Sequence, residues 1–331
     1  MGALVNNRLM QGCLLLLAAL IACPPTSFAD EAPQNRDCRL RRLASIDLDI
    51  GTYVIMPVSL DGNQTRMGLT TAMGISVIFK QDAEQMHLAI AKPPSPSGTM
   101  EKVTVDSFSL GSLDIGKVQL MAIGGPQTRN PAVPAYVGWF AMTSLVGMDF
   151  ELDFAHNKLN LFSTAHCPGK VVYWTDTAAS VPYSLDMTGI PVFPMELDGQ
   201  KVAATVQAGG SNTKLRTDFS KKIYGFDEHS PGIETRTLDS GKTISHYRAM
   251  KMTAQGLSVT NADVELVPGS KGCFVSTSAG PQRSAAYADC HGVVPLTLGL
   301  DVLRHLRLYF ATKEHVLYFT PADAVEPPAG Q

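Results

Sequence analysis

The chain has 331 residues, of which 45 % are hydrophobic and only 17 % charged, and its formal net charge is −3. That length suggests two domains, and the apolar content is enough for a real core, which argues against wholesale disorder. The near balance of charge gives no reason to expect nucleic acid as a partner, and the cluster Arg36, Arg39, Arg41 and Arg42 reads as part of a solvated N-terminal arm.

Taken in chain order, residues 1–29 read as a secretory signal. Arg8 precedes an apolar core over 13–22, and Ser27-Phe28-Ala29 offers a small-residue exit. The apolar run is too short to span a bilayer, and no later stretch is long and apolar enough to do so. Leu20-Ile21-Ala22-Cys23 also fits a bacterial lipobox, which would make a lipid-modified Cys23 the first mature residue, although Pro24-Pro25 directly after it is unusual. Cleavage after Ala29 is the preferred reading. Either way the protein is expected to be exported to a bacterial periplasm, and to meet a membrane only if Cys23 is lipidated. Residues 30–43 form a polar arm.

Alternating apolar and β-branched residues over 46–60 predict strands, and the stretch 57–78 is then written twice. PVSLDGNQTRMGLTTAMGISVI (57–78) aligns without a gap to PMELDGQKVAATVQAGGSNTKL (194–215), an offset of 137 from Pro57 to Pro194. Each copy carries an Asp-Gly step between apolar runs, Asp61-Gly62 and Asp198-Gly199, which is the strongest short-range hairpin signal. A second apolar run leads to a small-residue loop, then to a hydroxyl and an aliphatic residue: Ser76 and Ile78 in one copy, Thr213 and Leu215 in the other.

Further along, residues 81–91 are expected to be a short helix, and 92–98 a turn-rich loop. Short strands are predicted over 103–120 with turns at Leu110-Gly111 and Ile115-Gly116, and Phe108 to Leu120 recurs as Met252 to Leu266 at an offset near 144. Residues 124–136 are a glycine- and proline-bearing loop. Leu145-Val146-Gly147-Met148-Asp149-Phe150 pairs with Thr297-Leu298-Gly299-Leu300-Asp301-Val302 at an offset of 152 (297 against 145), and strand pairs follow both. On that alignment a helical turn is missing from the first half. Residues 171–174 read as a bridging strand in which Trp174 packs. Asp218 is expected on a helix after the second hairpin. This strand-dense, turn-punctuated pattern predicts an all-β protein.

The repeated unit resembles the catalytic hairpin of aspartic peptidases, in particular the bacterial retropepsin-like families, whose loop reads Asp-Thr-Gly followed by Ala or Ser. The resemblance extends over residues 44–321 and implies a bilobal pepsin/retropepsin-like acid protease fold built by internal duplication. The implied division is an N-terminal lobe 44–167, a connection 168–180, a C-terminal lobe 181–321 and a tail 322–331, in a monomer with two pseudo-symmetric lobes. Carried onto this chain, Thr70-Thr71-Ala72 and Gln207-Ala208-Gly209 occupy the two Asp-Thr-Gly positions. Neither copy has the aspartate.

That absence bears directly on chemistry. The family's reaction needs two close carboxylates sharing one proton, one acting as base on a water and the other polarising the scissile carbonyl. A threonine hydroxyl and a carboxamide can hold a water but cannot take its proton, and losing general acid–base catalysis costs about 10²–10⁴-fold in rate. Two other Asp-x-Gly steps, at Asp49 and Asp114, are alternative carriers, but neither is followed by the small loop and hydroxyl. Asp149 and Asp301 read as structural. Ser76 and Ser211 lack the histidine and acid of a triad, and no metal or cofactor motif is present. Asn63-Gln64-Thr65 fits a glycosylation acceptor, which the bacterial cast of the leader disfavours.

Export places the four later cysteines in an oxidising compartment. Four allow three connectivities; Cys38–Cys167, which would close the first lobe, and Cys273–Cys290, within the second, are expected. His166 beside Cys167 reads as structural. The expected function is a pseudopeptidase that binds a peptide or an envelope protein in the interlobe cleft, lined by Thr70, Thr71, Ala72, Gln207, Ala208 and Gly209. The alternatives are a working endopeptidase that draws on an unrecognised carboxylate or a partner chain, and an envelope scaffold with no cleft ligand.

Overall fold

The computed structural model describes residues 38–91, 101–124, 135–145, 147–237, 241, 243–269 and 294–323. The signal region, Cys23, both loops at 92–98 and 125–134, and Cys273 and Cys290 lie outside the described residues.

The repeated hairpins form as read. Strand β3 (Val54–Leu60) turns into β4 (Asn63–Thr70), and β14 (Pro191–Leu197) turns into β15 (Gln200–Val206). Both Asp-Gly steps have two successive positive φ angles, 48° and 84° at Asp61-Gly62 and 46° and 80° at Asp198-Gly199. This is the primed turn whose twist matches the flanking strands. Each turn aspartate is pinned to a neighbouring strand in the same way. Asp61 Oδ1 accepts from Ser107 N at 2.8 Å, and Asp198 Oδ1 accepts from Lys251 N at 2.7 Å.

Around these hairpins two eight-stranded sheets grow with the same strand order. The first contains β2 (Asp49–Ile50), β3, β4, β9 (Gly138–Ala141), β5 (Val77–Phe79), β8 (Leu113–Ile123), β7 (Glu101–Leu110) and β6 (Ala89–Ala91), in that order. The second contains β13 (Ser184–Leu185), β14, β15, β20 (Leu296–Leu298), β16 (Thr213–Arg216), β19 (Leu257–Val267), β18 (Thr243–Ala254) and β17 (Glu234–Thr237). The two parallel pairings correspond as well, β4–β9 and β5–β8 against β15–β20 and β16–β19. The protein is an all-β, bilobal structure of the pepsin-like type, built by internal duplication.

A six-stranded sheet joins the lobes, ordered β1 (Arg42–Asp47), β11 (Lys158–Ser163), β10 (Met148–Asp153), β21 (Leu306–Ala311), β22 (Val316–Pro321) and β12 (Ala179–Pro182). Its centre is the antiparallel pair β10–β21, where Phe150 faces Phe310 with rings 4.5 Å apart. One face of this sheet carries the main core. The other buries Phe162, Trp174 and Tyr309, and Trp174 Nε1 donates to Thr320 at 3.0 Å. Cys38 and Cys167 are disulfide-bonded across 129 residues of chain. Among the described residues no helix is long and apolar enough to cross a membrane.

Four local expectations are corrected. The helix predicted over 81–91 is α1 (Lys80–Gln85); His87 at φ 56° ends it, and Ala89–Ala91 joins the sheet through Ile90 opposite Val103. Sheet pairing there outweighs a weak helical propensity. Ile115-Gly116 is no turn but a bulge-like irregularity inside β8, with Gly116 at φ 78°. Residues 171–174 form no strand, because β12 already occupies the edge beside β22.

The fourth correction concerns the closing signature. In register, Leu69 faces Phe140 while its counterpart Val206 faces Leu298, so Phe140 corresponds to Leu298, an offset of 158 (298 against 140). The same offset carries β10 and β11 onto β21 and β22 and sets the 3-10 turn Met142–Ser144 against α3 (Leu300–Leu303). No helical turn is missing. Ala141, not Gly147, matches Gly299, and Asp149 and Asp301 are not equivalent.

Candidate functional site

The two loops that follow β4 and β15 meet face to face. Thr71 Oγ1 donates to Val206 O at 2.6 Å and accepts from Ala208 N at 3.0 Å. One side chain of the first lobe therefore serves both an acceptor and a donor of the second loop. Its counterpart, Ala208, has no hydroxyl to return the exchange. Within the loops, Ala72 N reaches Thr70 Oγ1 at 3.3 Å, Gln207 N donates to Leu298 O at 2.8 Å, and Gly210 N bonds Gln207 O at 3.3 Å. Thr70, Thr71, Ala72, Gln207 and Ala208 are buried, and Gly209 is half-buried.

The hydroxyl that follows each loop anchors it from behind. Ser76 Oγ accepts from Ala141 N at 2.9 Å and shares a hydrogen with Ser144 Oγ at 2.8 Å. In the second lobe Thr213 Oγ1 accepts from Gly299 N at 3.0 Å and donates to Asp301 Oδ1 at 2.7 Å. Asp301 thus buttresses a loop. Each small residue at the end of β9 or β20 hands its N–H to the hydroxyl, which is how the two strand turns are held beside the loop.

What the sequence reading missed lies over Thr70. Trp139 faces Gly68 across the β4–β9 pairing, so alternation puts its indole on the same face of the sheet as the Thr70 side chain. A Cβ on Gly68 would come within 2.4 Å of Trp139 Cε3, so only glycine admits the ring there. The indole also reaches the second lobe, where a Cβ on Gly209 would sit 3.3 Å from both Trp139 Cζ3 and Thr70 Cβ. Tyr53 and Tyr136 stand edge-on to the indole, with ring centroids at 5.1 and 5.2 Å. The position corresponding to Trp139 in the second lobe is Thr297. A large aromatic in the short strand beside the loop was the available signal.

The alternative carboxylates lie elsewhere. Asp49 is exposed and 3.7 Å from Arg66. Asp114 caps its own hairpin, accepting from Gly116 N at 2.8 Å and Ser107 Oγ at 3.1 Å. Asp218 opens α2 (Thr217–Ile223), as read, and the adjacent Arg216 guanidinium, which hydrogen-bonds to it, holds its carboxyl below the usual range. Asp149 is fully buried and accepts from His166 Nε2 at 2.6 Å, Tyr309 Oη at 3.2 Å and Thr312 N at 2.8 Å. His166 Nδ1 lies 3.2 Å from Cys167 O, so both ring nitrogens serve the packing beside the disulfide. Among the described residues no group of three or more metal-ligating side chains comes together.

Neither a protein-family model nor a curated protein matches the sequence. Among solved structures the chain is similar to the aspartic proteinase from Irpex lacteus, at 11 % identity over 85 % of this chain and 98 % of that one, with a TM-score of 0.49. It is also similar to Basic 7S globulin from soybean, at 8 % identity over 87 % of this chain and 98 % of that one, again with a TM-score of 0.49.

Proposed function

We propose that the chain is a non-catalytic protein of the bacterial retropepsin-like kind, exported, whose interlobe cleft holds an extended peptide or a segment of an envelope protein. The observation that carries this reading is that the two loops meet through Thr71 while Thr70 and Gln207, which the resemblance sets at the family's aspartate positions, carry no carboxylate. A hydroxyl and a carboxamide can hold a water but do not take its proton at working pH. The Trp139 ring lies close to both Gly209 and Thr70, so the indole crowds the junction of the two loops. What remains suits binding. Tyr53, Tyr136 and Trp139 give a half-buried aromatic surface beside strands able to pair with an extended chain. Attachment to a membrane would come through a lipidated Cys23.

The test is to incubate the purified, folded protein with a diverse peptide library from acidic to neutral pH and to follow both cleavage and retention. No cleavage, with saturable retention of extended peptides that Trp139→Ala weakens, is the expected result. Cleavage abolished by Asp49→Asn or Asp114→Asn would instead establish a working peptidase with its carboxylate at that residue. Silence in both readouts would favour a scaffold.

A further inference from the structure

Below Thr71, against the six-stranded sheet, lies a cavity of about 360 Å³, within the size range of small-molecule sites. Met142, Phe150, Tyr183, Leu185 and Phe310 make most of its wall, and Thr164 and Lys313 supply polar groups. Thr71 and Thr143, which also line it, already spend their hydroxyls on Val206 O and Gly74 O, whereas Lys313 and Thr164 lie near each other. Lys313 sits in the turn between β21 and β22, next to Thr312, whose hydroxyl bonds Met148 O at 3.0 Å. Met148 pairs with Ser163, the residue before Thr164. The Tyr183 ring stacks on His315, 5.5 Å away in that same turn. Burial first, and then the charge of Asp149, holds the Tyr183 phenol above its usual range, so it stays protonated and able to donate.

The acids around this end are already engaged. Asp149 receives His166, Tyr309 and Thr312, and Glu314 receives Gly169 N at 3.1 Å and Tyr318 Oη at 3.1 Å. Lys313 has no ion pair and Thr164 no side-chain hydrogen bond among the described residues. An apolar chamber that ends in an uncompensated ammonium and a free hydroxyl complements a ligand with an apolar body and one anionic head.

We infer that this cavity is a binding site for a small amphipathic carboxylate, its hydrocarbon body between Phe150, Phe310 and Leu185 and its head group at Lys313 and Thr164. The site is separate from the face that carries Trp139 and does not depend on the reading of the cleft. Thr71, whose hydroxyl holds the two loops together, also lines the cavity.

Calorimetric titration of the full protein with decanoate, and with 1-decanol as the uncharged control, tests this. Saturable one-to-one decanoate binding is expected, with the alcohol at least about tenfold weaker and Lys313→Met weakening decanoate by a similar factor. Thr164→Phe, which fills the polar end, should abolish binding. Lys313 is exposed, so its variant folds regardless of the fate of the other. Failure of decanoate to bind the folded protein, or equal binding of acid and alcohol unaffected by Lys313→Met, would overturn the proposal.

Discussion

The hydroxyl of Thr71 in the first lobe closes on the backbone of Val206 and Ala208 in the second, at 2.6 and 3.0 Å. The pairing is one-sided, because the duplicated position carries an alanine. Thr71→Val removes the hydroxyl and leaves a buried carbonyl and a buried N–H without partner, a loss of about 1–3 kcal/mol. Thr71→Ser should retain most of the stability. Denaturant titration of the three proteins checks this, and equal midpoints for threonine and valine would contradict it.

Placing an acid in each loop should not suffice for activity. Thr70→Asp with Gln207→Asp supplies a dyad to loops that are buried, with Trp139 against Gly209. Acid-favoured peptide cleavage is expected only when Trp139→Thr is added, which gives the first lobe the residue that the second has at its equivalent position. Cleavage by the double variant alone would show that the indole does not obstruct the junction.

Arg307 is buried with Glu151 and Asp153, hydrogen-bonded to Glu151 through Nε and 3.3 Å from Asp153 through Nη2, and stacked 4.4 Å over Trp174. Arg307→Met strands two buried carboxylates and should cost about 3–5 kcal/mol. Adding Glu151→Gln should recover part of that loss, because the members of such a network are coupled. A strictly additive double variant would argue against the network.

Several tyrosines couple folding to alkaline pH. Burial first, then a neighbouring acid, pushes the phenols of Tyr173, Tyr224 and Tyr318 up to about 12, with Glu151, Asp198 and Glu314 as the respective acids. An unfolded tyrosine titrates near about 10. The folded state therefore holds these protons more tightly. The associated stability is fully present below the unfolded value and is lost as pH rises through the folded ones. Tyrosinate absorbance should lag behind a free-tyrosine titration and then rise together with loss of the far-ultraviolet circular dichroism signal. Independent ionisation of all nine tyrosines near the free value, with the fold intact, would contradict this.

Non-reducing peptide mapping should recover the Cys38–Cys167 link. Replacing both cysteines by alanine should lower stability by about 2–4 kcal/mol, since the bond constrains a long loop of the unfolded chain. Melting midpoints of the oxidised protein and of this variant measure it. The bond proposed between Cys273 and Cys290 is tested in the same digest.

Much of this was readable in the chain itself because it is local. Asp61-Gly62 and Asp198-Gly199 specify their turns through backbone conformations that few residue pairs adopt. The gapless repeat around them fixed the duplication and placed both small loops, Thr70-Thr71-Ala72 and Gln207-Ala208-Gly209. The hydroxyls of Ser76 and Thr213, picked out by position alone, anchor those loops as a pair. Composition sufficed for the absence of aspartate there, since no folding can supply a carboxylate that the loop does not encode.

Only the tertiary structure decided the rest. The shared Gly-x-Asp letters misaligned the lobe ends by six residues (158 against 152), because true equivalence there is set by strand register, and Gly138-Trp139-Phe140-Ala141 and Leu296-Thr297-Leu298-Gly299 share no identities. Residues 89–91 became strand because Val103 offered a ladder that an isolated helix could not match. Trp139 acquired its place over Thr70 from a parallel pairing of strands that lie about seventy residues apart in the chain (139 against 68). A side chain's local propensities are written beside it in the sequence, whereas its neighbours across a sheet are fixed by pairings that form only when distant segments meet.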